Sequence, residues 1–104
     1  MANVMILYRL KAGVSKDAFD AWVRDYDYPK IRGIARIAAF TNHRVARLLI
    51  GEGAPSIDYV ELFDIPDLAG FTAEDLAGPV IAEVMPEFMN WVEDPQFLVV
   101  DPIA

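Results

Sequence analysis

Three side chains of this sequence combine proton-transfer chemistry with strand-like surroundings. His43 is the only histidine, set in Phe40-Thr41-Asn42-His43-Arg44. Its free pKa lies near neutrality, which suits a general acid or base. Glu61 sits in Tyr59-Val60-Glu61-Leu62-Phe63. A carboxylate between apolar neighbours has its pKa raised by desolvation, and becomes a base or an orienter of His43. Tyr59 shares a strand face with Glu61 by the period of two. In this scheme His43 moves the proton, Tyr59 or Tyr28 hydrogen-bonds an oxygen, and Glu61 or Arg44 sets orientation and charge. The alternatives are structural: an exposed or hydrogen-bonded strand histidine, and a Glu61 ion-paired with Arg36, Arg44 or Arg9 across the sheet or dimer. The strand register that would bring His43 to Glu61 is not legible in the sequence.

A second constellation is aromatic. Trp22, Tyr26 and Tyr28 follow one another along the end of a first helix, and Phe88 and Trp91 lie on a second. Together they would wall a ligand pocket between helices and sheet; the competing reading is plain core. One histidine, no cysteine and no ligand motif argue against a metal site. Gly51-x-Gly53 is too short, and wrongly placed between strands, for a dinucleotide loop. The expectation is therefore a protein without a bound cofactor.

The elements that must position these residues read strand, helix, strand, strand, helix, strand. Asn3 to Leu10 is apolar and β-prone. Ser15 is a good helix N-cap and Asp17 suits the first turn. Phe19, Trp22, Val23 and Tyr26 then recur with helical spacing, and Pro29 predicts the end of the regular helix. Ala35 to Ile50 is a long β-like stretch, and Ile57 to Ile65 is its antiparallel partner across the Gly51–Ser56 loop. A short helical turn falls in Leu68 to Ala77. Pro79 to Val92 is a second helix that Pro86 should kink or divide. Asp94-Pro95 should break the chain before a last strand, Phe97 to Val100. This order predicts one α+β domain spanning residues 1–104, a ferredoxin-like βαββαβ fold with an antiparallel sheet. Val4 to Leu7 and Phe97 to Val100 are apolar on both faces, whereas a one-sided sheet alternates. Both crossovers cover the same face, so the other face predicts a homodimer that closes into an α/β barrel.

Apolar residues make up 55% of the chain, high for a small monomer and consistent with such an interface. No stretch approaches the roughly 18 apolar residues of a membrane span, and the start lacks a signal-peptide pattern. With no cysteine, the cytoplasm is the default expectation. All nine Lys and Arg lie at or before Arg47, and twelve of the sixteen acids lie from Glu52 onward. A net charge of -7 without a basic stripe argues against nucleic acid as a partner.

The βαββαβ order resembles the dimeric α/β-barrel superfamily. So do Tyr26-Asp27-Tyr28-Pro29-Lys30-Ile31 running into Gly33-Ile34, and Asp58-Tyr59-Val60-Glu61-Leu62-Phe63-Asp64-Ile65 leading to Leu68 and Phe71. Within that superfamily the chain looks most like the RedY-like proteins associated with prodigiosin-type pigment pathways. Relatives of this kind include cofactor-free monooxygenases, polyketide cyclases and EthD-like proteins. The resemblance implies a pocket in each subunit for an aromatic or polyketide-like metabolite, and an accessory role in secondary metabolism. EthD-like relatives often carry a histidine just before the proline after the first helix; here that position is Tyr28, and haem ligation would have only His43 to rest on.

Overall fold

Local capping starts the first helix where the sequence expects it. The Ser15 hydroxyl accepts from the Ala18 N–H at 3.2 Å, and Asp17 lies in the first turn. In the computed structural model, which describes residues Met1–Ala104, β1 (Val4–Leu10) leads to α1 (Lys16–Trp22). The helix runs on through a π-helical turn (Val23–Asp27) into α2 (Tyr28–Arg32). Then come β2 (Ala39–Arg44), β3 (Tyr59–Asp64) and α3 (Leu68–Gly70), which continues as a second π turn (Phe71–Asp75). The chain ends with α4 (Pro79–Trp91) and β4 (Val92–Val99). All neighbouring strands pair antiparallel, in the order β2-β3-β1-β4. This is the α+β, ferredoxin-like βαββαβ arrangement.

Several boundaries differ from the sequence expectation. The β-like stretch Ala35 to Ile50 is a strand only over Ala39–Arg44, the part that pairs with β3. The last strand starts at Val92, before Phe97, because Glu93 and Val92 already pair with β1. Pro29 does not end the first helix. It stands in the first turn of α2, where its missing N–H matters least, and the preceding π turn absorbs it, with Tyr28 N–H reaching back to Val23 O. Pro86 leaves α4 undivided. Asp94-Pro95 does not break β4: it forms an irregularity opposite Leu7–Arg9, with Asp94 at φ 51°. Proline is tolerated there because β4 is an edge strand.

The core lies between one sheet face and the helices. Ile6, Tyr8 and Leu10 of β1, Phe40 of β2, and Tyr59 and Phe63 of β3 meet Phe19, Val23, Ile31, Val84 and Phe88. Phe19 is the centre of an aromatic cluster, with ring centroids 4.8 Å from Tyr59 and 5.6 Å from Trp91. The opposite face bears no helix. By register it carries Met5, Leu7, Val60, Leu62 and Leu98, with Thr41 and His43 at its β2 edge.

Candidate functional site

One stripe of the first helical segment explains where the chemistry falls. Phe19, Val23, Asp27 and Ile31 succeed one another every four residues and all four are buried. In a regular α-helix such a stripe drifts by about 40° per step. The wider π turn over Val23–Asp27 takes up part of that drift and keeps Asp27 turned inward among apolar neighbours. Across from it, period two along β3 puts Tyr59, Glu61 and Phe63 on the helix-facing side. Asp27 (4% exposed) and Glu61 (3% exposed) are the only buried charged residues of the fold.

Between them opens a cavity of about 200 Å³. Of its 20 lining residues 17 are hydrophobic, so Asp27, Glu61 and Thr72 supply all the polar chemistry. Five phenylalanines contribute to the wall: Phe40, Phe63, Phe71, Phe88 and Phe97. Leu68, Phe71 and Leu76 reach it from the α3 segment. Arg36 ties that segment down through Asp67 (3.2 Å), Glu74 (3.0 Å) and Asp75 (3.2 Å). Gly70 leaves room for this clamp: a Cβ there would lie 2.2 Å from Asp67 Oδ2 and 2.6 Å from Arg36 Nε, so both side chains would have to move.

The two carboxyls differ in their partners. Glu61 Oε2 accepts hydrogen bonds from the Tyr8 hydroxyl and, at 3.3 Å, from Asn42 Nδ2. Both bonds go to the one oxygen and leave Oε1 free. Asn42 Nδ2 also donates to Tyr8 Oη at 2.8 Å, while the buried Asn42 Oδ1 has no partner. Burial, and then the charge of Asp27, push the Glu61 pKa up to about 8, against the opposing effect of the Tyr8 bond. Asp27 makes no compensating hydrogen bond, and burial alone raises it to about 7. No arginine reaches Glu61: Arg9 pairs with Asp94, Arg36 with the α3 segment, and Arg44 with Asp17 and Asp20. Within this chain Glu61 is therefore hydrogen-bonded rather than ion-paired.

The candidate residues read from sequence separate into four places. Glu61 and Phe88 line the apolar cavity. Tyr28, Tyr59 and Arg44 line a second, polar cleft of about 160 Å³ with Asp20, Val23, Arg24 and Asn42. There the Tyr59 hydroxyl donates to Asp20 Oδ1 at 2.6 Å, and the Tyr28 hydroxyl accepts from the Asn42 N–H at 2.7 Å. Trp22, Tyr26 and Trp91 stack beside Phe19 and line neither cavity. His43 stands opposite Val60, on the helix-free face, with Thr41 Oγ1 2.9 Å from its Nε2. The residue opposite Glu61 is Asn42. A one-residue difference in register thus turns His43 away from Glu61 and puts the whole sheet between them. Asp27 is the site residue that sequence reasoning misses; its signal is an acid in an apolar stripe of four-residue spacing. No group of three or more potential ligands is disposed to hold a metal ion.

Comparison with known proteins agrees with this architecture. The crystal structure of HapK from Hahella chejuensis superposes with a TM-score of 0.69 at 24% identity, over 97% of both chains. A protein of Arabidopsis thaliana aligns with a TM-score of 0.79 at 14% identity, over 100% of this chain and 97% of that one. An EthD family protein from Bacillus halodurans C-125 gives a TM-score of 0.71 at 15% identity over 99% of both. No curated protein sequence matches the chain. The sequence model of the REDY-like protein HapK matches residues 2–103, nearly the whole length, and the chain belongs to that family.

Proposed function

We propose that this protein binds a small hydrophobic or aromatic metabolite in the cavity between sheet and helices, and acts on it by proton transfer as an accessory enzyme of secondary metabolism. The observation that carries the reading is the cavity itself: apolar walls enclosing two buried carboxyls that no cation neutralises. Retaining such groups is costly for folding, and they cluster where chemistry needs them. An engineered cavity of about 150 Å³ takes up benzene, so about 200 Å³ suits one ring with short substituents. Glu61 gives and takes the proton, because its pKa lies close to neutrality. Tyr8 and Asn42 fix its carboxyl, and Asp27, free of partners, holds the polar end of the ligand. Proton movement of this kind can serve a cyclase, a condensing enzyme or a cofactor-free monooxygenase. Tyr28, Tyr59 and Arg44 belong to the neighbouring polar cleft, which would receive a ligand's polar extension.

Titration of 15N-labelled protein with single-ring aromatic compounds tests the binding step. Amide shifts at Ile6, Phe63 and Phe88 support it; shifts confined to Thr41 and His43, or none, refute it. Protein-catalysed deuterium wash-in at an acidic C–H of a bound ligand, lost in Glu61→Gln, supports the catalytic step. Binding without wash-in would leave a binding module as the better account.

A second observation supports self-association as a homodimer. Met5, Leu7, Val60, Leu62 and Leu98 present a continuous apolar surface with no helix over it, and burying such a face is a strong drive to associate. In that assembly His43 lies within the interface, so its role is interfacial rather than in the cavity of its own subunit. Equilibrium sedimentation showing a stable monomer refutes this.

A further inference from the structure

Of the cavity's features, one selects a chemical class. Its wall holds two carboxyls and five phenylalanine rings, and no lysine, arginine or histidine. Asp27 is more than nine-tenths buried, lies on the cavity wall, and has no hydrogen-bond partner. Phenylalanine faces attract cations, more strongly when water is excluded. An unpaired carboxylate in an apolar enclosure is stabilised most by an opposite charge at hydrogen-bond distance. An anionic ligand would find no cationic partner in this wall and would meet the negative charge of Asp27, and a purely apolar one would leave Asp27 unsatisfied. The charge of the whole molecule, -7, adds attraction for cations during approach.

We propose that the cavity is selective for a small hydrophobic amine, with its ammonium group against Asp27 and its apolar body among Phe40, Phe63 and Phe88. This rests on the cavity being a ligand site, as argued above, and narrows the ligand to a chemical class. Asp27 is in this scheme a binding residue, and Glu61 keeps the proton-transfer role.

Isothermal titration of the full chain at neutral pH with three probes of similar size tests it: phenethylamine, 2-phenylethanol and phenylacetate. The expected result is that phenethylamine binds at least tenfold more tightly than 2-phenylethanol, and phenylacetate more weakly than either. In Asp27→Asn, whose fold is checked by circular dichroism, phenethylamine should fall to the affinity of 2-phenylethanol, which itself changes less than twofold. Equal binding of amine and alcohol by the unaltered protein overturns the amine selectivity and leaves the cavity reading standing. Equal weakening of both probes by Asp27→Asn overturns the role of Asp27. If no probe binds, both the selectivity and the ligand site fall together.

Discussion

Replacing Asp27 by asparagine should make stability less dependent on pH, with a sign that the fold dictates. The carboxyl is 4% exposed, and burial raises its pKa from 3.8 to about 7. Between those values the folded protein holds a proton that the unfolded chain has released. The contribution of this group to stability is then greatest below about pH 4, falls as pH rises, and levels off just above pH 7. Every tenfold change in proton affinity corresponds to about 1.4 kcal/mol, so the loss for this one group is at most about 4 kcal/mol, and about 2–3 kcal/mol after structural relaxation. The asparagine side chain is never charged but packs like the protonated acid, so packing terms cancel in the comparison across pH. Removing Asp27 also removes the like charge that helps to raise Glu61, which adds to the effect in the same direction. The assay is urea unfolding of both proteins from pH 4 to pH 9. Relative to the parent, Asp27→Asn should gain stability steadily up to about pH 7–8, by roughly 2–4 kcal/mol in all. A difference that stays constant across that range would refute the burial argument for Asp27, and with it the electrostatic description of the cavity.

Three further substitutions probe separate parts of the structure. Tyr8→Phe removes the hydroxyl that donates to Glu61; it should cost about 1–3 kcal/mol in urea unfolding and move the Glu61 titration, followed by carboxyl 13C NMR, to still higher pH. Phe19 is fully buried at the centre of the aromatic cluster, so Phe19→Ala should lose about 3–5 kcal/mol; a loss below about 1 kcal/mol in the same assay would mean that this cluster is not the core. Leu62→Glu places a charge in the middle of the helix-free face; analytical ultracentrifugation should show the proposed dimer of the parent protein and a monomer for the variant, with phenethylamine binding unchanged, and an unchanged sedimentation coefficient would exclude that face as the interface.

Element order was legible from local physics. Period two in Tyr59–Asp64, the Ser15 cap and the apolar spacing of Pro79–Trp91 each name an element without reference to the rest of the chain, and the order βαββαβ then leaves few topologies. Proline was harder to read from sequence. Pro29 falls in the first turn of α2 after a π turn, where a missing N–H costs little, and at Pro95 the position at the sheet edge makes the proline tolerable; Pro86 leaves its helix undivided.

The site divides along the same line. Glu61 stood out because a carboxylate among apolar strand residues is a conflict visible in the sequence. His43 stood out by residue type alone, and type carries no register: only the pairing of β2 with β3 decides that Asn42, rather than His43, faces Glu61. Asp27 lies far from Glu61 along the chain, and its importance depends on the π turn that holds it inward and on the packing of that helix over β3. Sequence by itself determines which side chains have the capacity to ionise and where local order begins and ends. Tertiary structure decides which of them lose water together, and for a carboxyl that loss sets its pKa, its cost to folding and its use.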